Sequence, residues 1–189
     1  MHNYFVLPKS FLPLIFLPVL LCMFPLVVGA NEHDPGFHLY LVRHAEKLPG
    51  GSRDPGLDDS GVRRAERLAV WLQERDIGVI WSSDYVRTRD TAKPLLSALG
   101  LDLTIYDPRK LPELAELLQQ QQQNALVVGH SNTTPDLARL LCDCVIEDMD
   151  ESEYDHLIVI TFVDGNLQVE TLAQTSLFMA QDRSDALKK

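Results

Sequence analysis

Apolar segments of strand length alternate with helical segments along this chain, and that alternation restricts the folds open to it. Residues 37–42 and 125–128 are short apolar runs typical of buried strands. Residues 59–74 carry apolar side chains at helical spacing, with charged side chains on the opposite face. Alternating strands and helices predict an α/β fold with a mainly parallel sheet and helices on both faces.

The remaining segments continue this pattern up to a polar end of the chain. The further predicted elements are strands at 78–81, 103–106, 156–163 and 167–172, and helices at 85–99, 112–122 and 134–141. From Gln174 onward the residues are polar, which predicts a loose end. We therefore predict one domain over residues 31–175 and a polar C-terminal tail over residues 176–189.

Residues 1–30 have the composition of a targeting segment. Lys9 is their one charged residue, residues 11–28 are almost wholly apolar, and Val28-Gly29-Ala30 offers small residues for cleavage. This pattern predicts a signal peptide cleaved after Ala30, and a periplasmic or secreted protein. The alternative is an uncleaved inner-membrane anchor, because an apolar run of this length nearly spans a bilayer.

The negative net charge of the chain limits which molecules it can bind. The formal net charge is −10, and an acidic surface repels nucleic acid and anionic lipid. We expect no nucleic-acid partner, and membrane contact only through an uncleaved N-terminal segment. A small anionic phosphorylated substrate can still bind in a locally basic pocket. The oligomeric state is left open.

Two cysteines of the domain lie two positions apart. The spacing of Cys142 and Cys144 is too close for an unstrained disulfide, although a strained one could form in an oxidising compartment. The sequence favours unpaired cysteines that behave as small apolar residues. Since no Cys and His cluster has the spacing of a metal site, we predict no metal.

Polar residues follow directly after several predicted strands. Arg43-His44, Ser82-Ser83 and His130 each come just past the end of an apolar run. Ligands of open α/β sheets bind at the carboxyl ends of the strands. These three motifs, which are far apart in sequence, should therefore meet in one crevice.

The residue types in that crevice suit phosphoryl chemistry. Arg43 and Arg87 offer charged forks that can hold phosphate oxygens in pairs of hydrogen bonds. A neutral imidazole of His44 can attack phosphorus, provided that an acceptor such as a backbone carbonyl holds its other nitrogen. His130 can donate to a phosphoryl oxygen as charge develops there.

Two residues next to His130 extend this set. Ser131 and Asn132 precede the helix predicted at 134–141, so amides at a helix N-terminus would add donors for a phosphate. The predicted substrate-binding residues are thus Ser131 and Asn132 together with Arg43, Arg87 and His130.

Four segments resemble the histidine phosphatase superfamily (phosphoglycerate mutase-like), branch 1. Residues 41–47, LVRHAEK, resemble its phosphohistidine motif, and residues 57–61 resemble the helix start that follows. Residues 82–92 resemble its arginine-bearing segment, and residues 127–132 its second-histidine segment. The resemblance implies a three-layer α/β/α sandwich with a mainly parallel sheet and no cofactor. It also implies that His44 is phosphorylated, in a pocket completed by Arg43, Arg87 and His130.

The short segment between the arginine-bearing segment and the second-histidine segment restricts which activity of the family we expect. Residues 92–124 leave little room for the long insertion of the mutases, so the chain is similar to the compact phosphohistidine phosphatases of bacteria. We expect a metal-independent phosphatase that hydrolyses phosphate monoesters, or a phosphorylated protein, through a phosphohistidine intermediate. The alternatives are a phosphoglycerate mutase-type phosphotransferase and a non-catalytic phosphoryl-binding protein.

The leaving oxygen in such a reaction can need a proton from a general acid. Leu111-Pro112-Glu113 resembles the position of the family's acid, which makes Glu113 the candidate, with Asp107 as its competitor and no acid as the third option. Residues 143–155 are strongly acidic, and we expect them to form a solvated loop.

Overall fold

The computed structural model of the protein describes residues 36–188. Strands and helices alternate along most of this range, as the sequence predicts. The elements are β1 (Phe37–Arg43), α1 (Asp59–Leu72), β2 (Val79–Ser83), α2 (Val86–Leu99), β3 (Leu103–Tyr106), α3 (Leu111–Gln121), β4 (Ala125–Gly129), α4 (Thr133–Cys142), β5 (His156–Val163), β6 (Asn166–Ala173) and α5 (Gln174–Leu187).

The six strands form one sheet in the order β3-β2-β4-β1-β5-β6. The pairs β2–β3, β2–β4 and β1–β4 are parallel, whereas β5 runs antiparallel to β1 and β6 antiparallel to β5. The helices between the first four strands carry the chain back across the sheet, which makes these strands parallel. A tight turn at Asp164 and Gly165, both with positive φ, produces the antiparallel hairpin. The predicted mainly parallel sheet is confirmed.

Alternate residues of the central strand β1 serve two separate cores. Leu39 and Leu41 pack with apolar residues of α3 and α4 on one face of the sheet. Tyr40 and Val42 pack with apolar residues of α1, α2 and α5 on the other face. Since side chains of a strand point alternately to opposite faces, the sheet is covered on both sides. The fold is a three-layer α/β/α sandwich, as predicted.

The prediction of a loose C-terminal tail was wrong for the residues that the structure describes. Residues 174–187 form helix α5, which packs against α1. Phe178 is only 4% exposed, and the buried Gln174 side chain donates hydrogen bonds to the carbonyls of Tyr154 and His156. A few buried contacts thus hold a helix whose composition is mainly polar.

The predicted signal peptide, residues 1–30, lies outside the described residues. Within residues 36–188, no helix combines the length and the apolar composition that crossing a membrane requires.

The expectation that Cys142 and Cys144 stay unpaired was also wrong, because the two residues form a disulfide. Cys142 ends α4, and Asp143 adopts a left-handed conformation with φ 49°. This turn places the two Cα atoms 5.1 Å apart, which is within the normal range for a disulfide. The spacing argument failed because it did not include the left-handed residue at the helix end.

The start of α1 lies against the segment that follows His44. The Asp58 carboxylate caps the helix by accepting from the amides of Ser60 and Gly61. The Asp58 amide donates to the Glu46 carbonyl at 3.0 Å. A Cβ atom at Gly61 would lie 2.1 Å from that same carbonyl oxygen, so only glycine permits this approach.

We predict that Gly61→Ala lowers the free energy of unfolding by more than about 2 kcal/mol, because backbone must move to relieve the clash. Urea unfolding followed by circular dichroism measures the change. Gly51→Ala is the matched control, since nothing lies within 4 Å of a Cβ at that position. Equal stability of the two variants would contradict the packing described for α1.

Candidate active site

The two histidines singled out in the sequence meet at the carboxyl ends of β1 and β4. The register pairs Arg43 with Gly129, and the His44 amide donates to the Gly129 carbonyl at 2.9 Å. His44 and His130 therefore leave neighbouring strands side by side. Their ring centroids are 5.5 Å apart, in an edge-to-face arrangement.

Both histidines face an open pocket of about 400 Å³. Among residues 36–188, its cationic side chains are Lys47, Arg87 and Arg109, and the one carboxylate that lines it is that of Glu151. The pocket is thus locally basic on an acidic protein. The lining residues are His44, Lys47, Tyr85, Arg87, Pro108, Arg109, His130, Ser131, Asn132, Thr133 and Glu151.

His44 is held as a neutral imidazole with one free nitrogen. Its Nδ1 lies 2.8 Å from the Ala45 carbonyl oxygen, so Nδ1 carries the hydrogen and donates it. The lone pair of Nε2 is then free. Burial, together with the positive charges of Arg43 and Arg87, lowers the pKa of His44 to about 3. The backbone carbonyl predicted as the acceptor is present.

His130 is held by contacts on both ring nitrogens and on its edge. Nε2 lies 2.9 Å from the Ser83 hydroxyl oxygen, and Nδ1 lies 3.4 Å from Nη2 of Arg87. The ring packs edge-on against Tyr85, with centroids 4.9 Å apart. Burial lowers its pKa to about 4, with smaller contributions from the charges of Arg87 and Arg43.

Arg87 lies in the first turn of α2 and lines the pocket. Its guanidinium stacks 4.5 Å from the centroid of the Tyr85 ring and lies 3.5 Å from the Asp54 carboxylate. The Nε atom is buried and has no hydrogen-bond partner among residues 36–188. A buried donor without a partner is costly, so Arg87 has hydrogen-bonding capacity left for an anion.

Arg43 is only 2% exposed, and it holds the loop of residues 143–155. Its Nη1 donates to the carbonyls of Asp150 and Glu153, and its Nη2 donates to the Glu151 carboxylate at 3.1 Å. The guanidinium also stacks 4.2 Å from the Tyr154 ring centroid. Both terminal nitrogens of the fork are thus occupied by the loop, and Nε is the nitrogen without a hydrogen-bond partner among residues 36–188.

The acidic loop is therefore not only a solvated loop, as the sequence led us to expect. Glu151 reaches the pocket, where its carboxylate accepts from Nη2 of Arg43 and from the Ser131 hydroxyl at 2.5 Å. Sequence analysis missed Glu151 because these partners are 108 and 20 residues away, with no periodic pattern to connect them.

Ser131 and Asn132 lie where the sequence places them, immediately before α4. Both line the pocket together with Thr133, the first residue of the helix. The positive end of the helix dipole therefore faces the pocket.

The structure does not bring Glu113 to the pocket. Leu111 starts α3, and Glu113 lies in its first turn on the solvent side, 70% exposed and paired with Lys110 at 3.2 Å. Asp107 accepts hydrogen bonds from the Arg109 side chain, which lower its pKa to about 2. Neither carboxyl is placed to supply a proton beside His44.

No group of three or more His, Cys, Asp or Glu side chains within residues 36–188 is arranged to hold a metal ion.

Comparison with known proteins agrees with this fold. Residues 39–117 match the model of the histidine phosphatase superfamily (branch 1). This segment, which is less than half of the chain, is therefore similar to that superfamily.

One curated relative is the probable phosphoglycerate mutase GpmB of Yersinia pestis, 39% identical over 77 residues. The aligned part is 38% of this chain and 35% of that relative, so the match spans about a third of the relative's length.

Solved structures share the fold at low sequence identity. The protein histidine phosphatase SixA, complexed with tungstate, aligns with a TM-score of 0.60 and 18% identity, over 74% of this chain and 99% of that chain. A mycobacterial glucosyl-3-phosphoglycerate phosphatase aligns with a TM-score of 0.57 and 15% identity, over 73% and 98% of the two chains. Each alignment covers nearly the whole of the solved chain, which shows that this chain shares the compact fold of those structures.

We predict that His44 and His130 both stay neutral at pH 5.5 in the free protein. Burial and the nearby arginines disfavour the imidazolium, which places the pKa values at about 3 and about 4 rather than near 6.5. NMR titration of the ring nitrogens measures both midpoints. Arg87→Met should raise the midpoint of His130, because it removes the nearest positive charge. Midpoints near pH 6.5 in the unmodified protein would contradict the electrostatics described.

Proposed function

We propose that this protein is a phosphatase that hydrolyses phosphate monoesters through a covalent phosphohistidine on His44. The observation that carries the proposal is the state of His44. Its Nδ1 is held by a backbone carbonyl, its Nε2 lone pair is free, and its ring lines a pocket rich in cationic groups. A neutral imidazole beside arginine is a nucleophile suited to a phosphate dianion.

The cationic groups make that attack possible. Phosphorus in a monoester is shielded by negative oxygens, so their charge must be neutralised before a nucleophile can approach. Arg87 would hold those oxygens together with Nε of Arg43 and with Nη2 of Arg43, from which the phosphate would displace Glu151. The N-terminus of α4 would add amide donors. The positive charge of these groups can neutralise the phosphate oxygens without a metal ion, which supports a metal-independent reaction.

His130 would then stabilise the transferring group. A phosphoryl dianion near Nδ1 and Arg87 favours the imidazolium, so substrate binding raises the pKa of His130 from about 4. Protonated His130 donates to a phosphoryl oxygen through one nitrogen while Ser83 holds the other. Charge developing in the transition state is thereby offset.

The two displacements of the reaction together return the site to its starting state. Nε2 of His44 attacks phosphorus, the ester P–O bond breaks, and the leaving oxygen takes up a proton and departs as the alcohol. Water then attacks the phosphohistidine, the N–P bond breaks, and inorganic phosphate leaves. Neutral His44 is regenerated with no other reactant consumed.

Hydrolysis is favoured over mutase activity by the openness of the pocket. The curated relatives carry the name phosphoglycerate mutase, which makes mutase activity the second candidate. A mutase must keep water from its phosphoenzyme. Only residues 100–102 connect α2 to β3, and only residues 107–110 connect β3 to α3, so no long insertion follows α2 to cover the pocket.

We also propose that the protein is exported by the segment of residues 1–30. The disulfide between Cys142 and Cys144 supports this, since disulfides persist mainly in oxidising compartments. The protein would then act in the periplasm or outside the cell, or at the inner membrane if the segment is not removed.

We predict that His44→Ala lowers p-nitrophenyl phosphate hydrolysis by at least about 1,000-fold, because the nucleophile is lost. The rate of the unmodified protein should be the same with EDTA. His38→Ala, on the same strand but hydrogen-bonded to Thr161 away from the pocket, should keep its activity. Turnover by His44→Ala at the unmodified rate would refute the proposal. Tight phosphate binding without turnover by the unmodified protein would indicate a phosphoryl-binding protein instead.

With 3-phosphoglycerate as substrate, we expect inorganic phosphate and glycerate as products, because water reaches the open pocket. Phosphorus NMR distinguishes these products from an isomerised ester. Formation of 2-phosphoglycerate without free phosphate would establish the mutase instead.

A further inference from the structure

Glu151 is the one carboxylate that lines the pocket in the part of the chain that the structure describes. Its two oxygens occupy donors that a phosphate would use, namely Nη2 of Arg43 at 3.1 Å and the Ser131 hydroxyl at 2.5 Å. The side chain is nevertheless 76% exposed, so it lies at the mouth of the pocket rather than at its floor. The reaction proposed above gives this residue no task.

We propose that Glu151 is the general acid that protonates the leaving oxygen of the substrate. The inference rests on the proposed phosphatase function and adds a catalytic residue to it. It replaces Glu113 and Asp107, which the structure places away from His44.

His44 and Glu151 lie at different depths in the pocket, and this arrangement suits an in-line displacement. His44 is buried at the floor of the pocket, whereas Glu151 is exposed at its mouth. In-line displacement requires the leaving oxygen to lie opposite the attacking nitrogen. The leaving oxygen therefore points from the floor of the pocket toward its mouth. Glu151 is the acidic side chain that lines the pocket there.

Substrate binding would also bring Glu151 into its protonated form. In the free protein, the hydrogen bond from Ser131 lowers the pKa of Glu151, as do the charges of Arg43 and Lys47. A phosphate dianion takes over Arg43 and Ser131 and places negative charge beside the carboxylate. Both changes raise the pKa of Glu151, so the carboxyl group binds a proton as the substrate binds.

The proton balance closes over the two steps. When the ester P–O bond breaks, the leaving oxygen takes the proton of Glu151 and departs as an alcohol. The resulting carboxylate then accepts a proton from the water that attacks the phosphohistidine. Release of phosphate leaves both His44 and Glu151 ready for another substrate.

This role selects a class of substrate. An alkoxide is a poor leaving group, so alkyl phosphates such as phosphorylated sugars or polyols gain most from protonation. Nitrophenolate leaves without help. A general acid at Glu151 thus favours alkyl phosphate monoesters as the natural substrates.

The test compares two leaving groups in Glu151→Gln, which preserves the shape of the side chain. The loop stays anchored in this variant, because Arg43 holds it through the carbonyls of Asp150 and Glu153. We expect kcat for glycerol 2-phosphate to fall about 100-fold or more. We expect kcat for p-nitrophenyl phosphate to change by less than about threefold, since that leaving group needs no acid.

Glu147→Gln is the matched control, since it removes the same charge from an exposed position of the same loop. It should leave both rates unchanged. Equal losses on the two esters in Glu151→Gln, or no loss on glycerol 2-phosphate, would overturn the assignment. Failure of the unmodified protein to hydrolyse either ester would instead overturn the proposed function itself.

Discussion

The hydrogen bond from the His44 amide to the Gly129 carbonyl, 2.9 Å long, sets the geometry on which the site depends. It continues the parallel pairing of β1 with β4 by one residue beyond the end of β1. His44 and His130 are thereby fixed on adjacent strands at the centre of the sheet. Because both strands are buried on two faces, the separation of the two rings is determined by the core rather than by flexible loops.

Arg43 connects this rigid sheet edge to the loop that reaches over it. A buried guanidinium is stable only when its charge and its donors find partners, and the loop of residues 143–155 supplies them. Burial is the main reason that the pKa of His44 is low, and the charge of Arg43 adds to it, so Arg43 both holds the loop and helps to keep the His44 imidazole neutral. In the proposed mechanism, substrate binding exchanges Glu151 for a phosphoryl group on Nη2 of Arg43.

The sequence predicted the parts of the molecule that local patterns determine. Strands and helices followed from apolar spacing, and the meeting of His44 with His130 followed from their positions after two central strands. The disulfide, α5 and Glu151 were not predicted, because each depends on a contact that leaves no periodic trace. Glu151 contacts Arg43 across 108 residues, through a loop whose composition alone resembles solvated surface. Glu113 had a suggestive local motif, but the helix that it starts turns it toward solvent.

The central claim is that phosphorus passes through a covalent bond to His44. Its most direct test is the stereochemical course of hydrolysis, measured with a phosphorothioate ester that carries two oxygen isotopes at a chiral phosphorus and is hydrolysed in water of the third isotope. Each in-line displacement inverts the configuration, so the two displacements of the phosphohistidine route predict net retention. Inversion would show that water attacks the ester directly, and would contradict a covalent intermediate on His44.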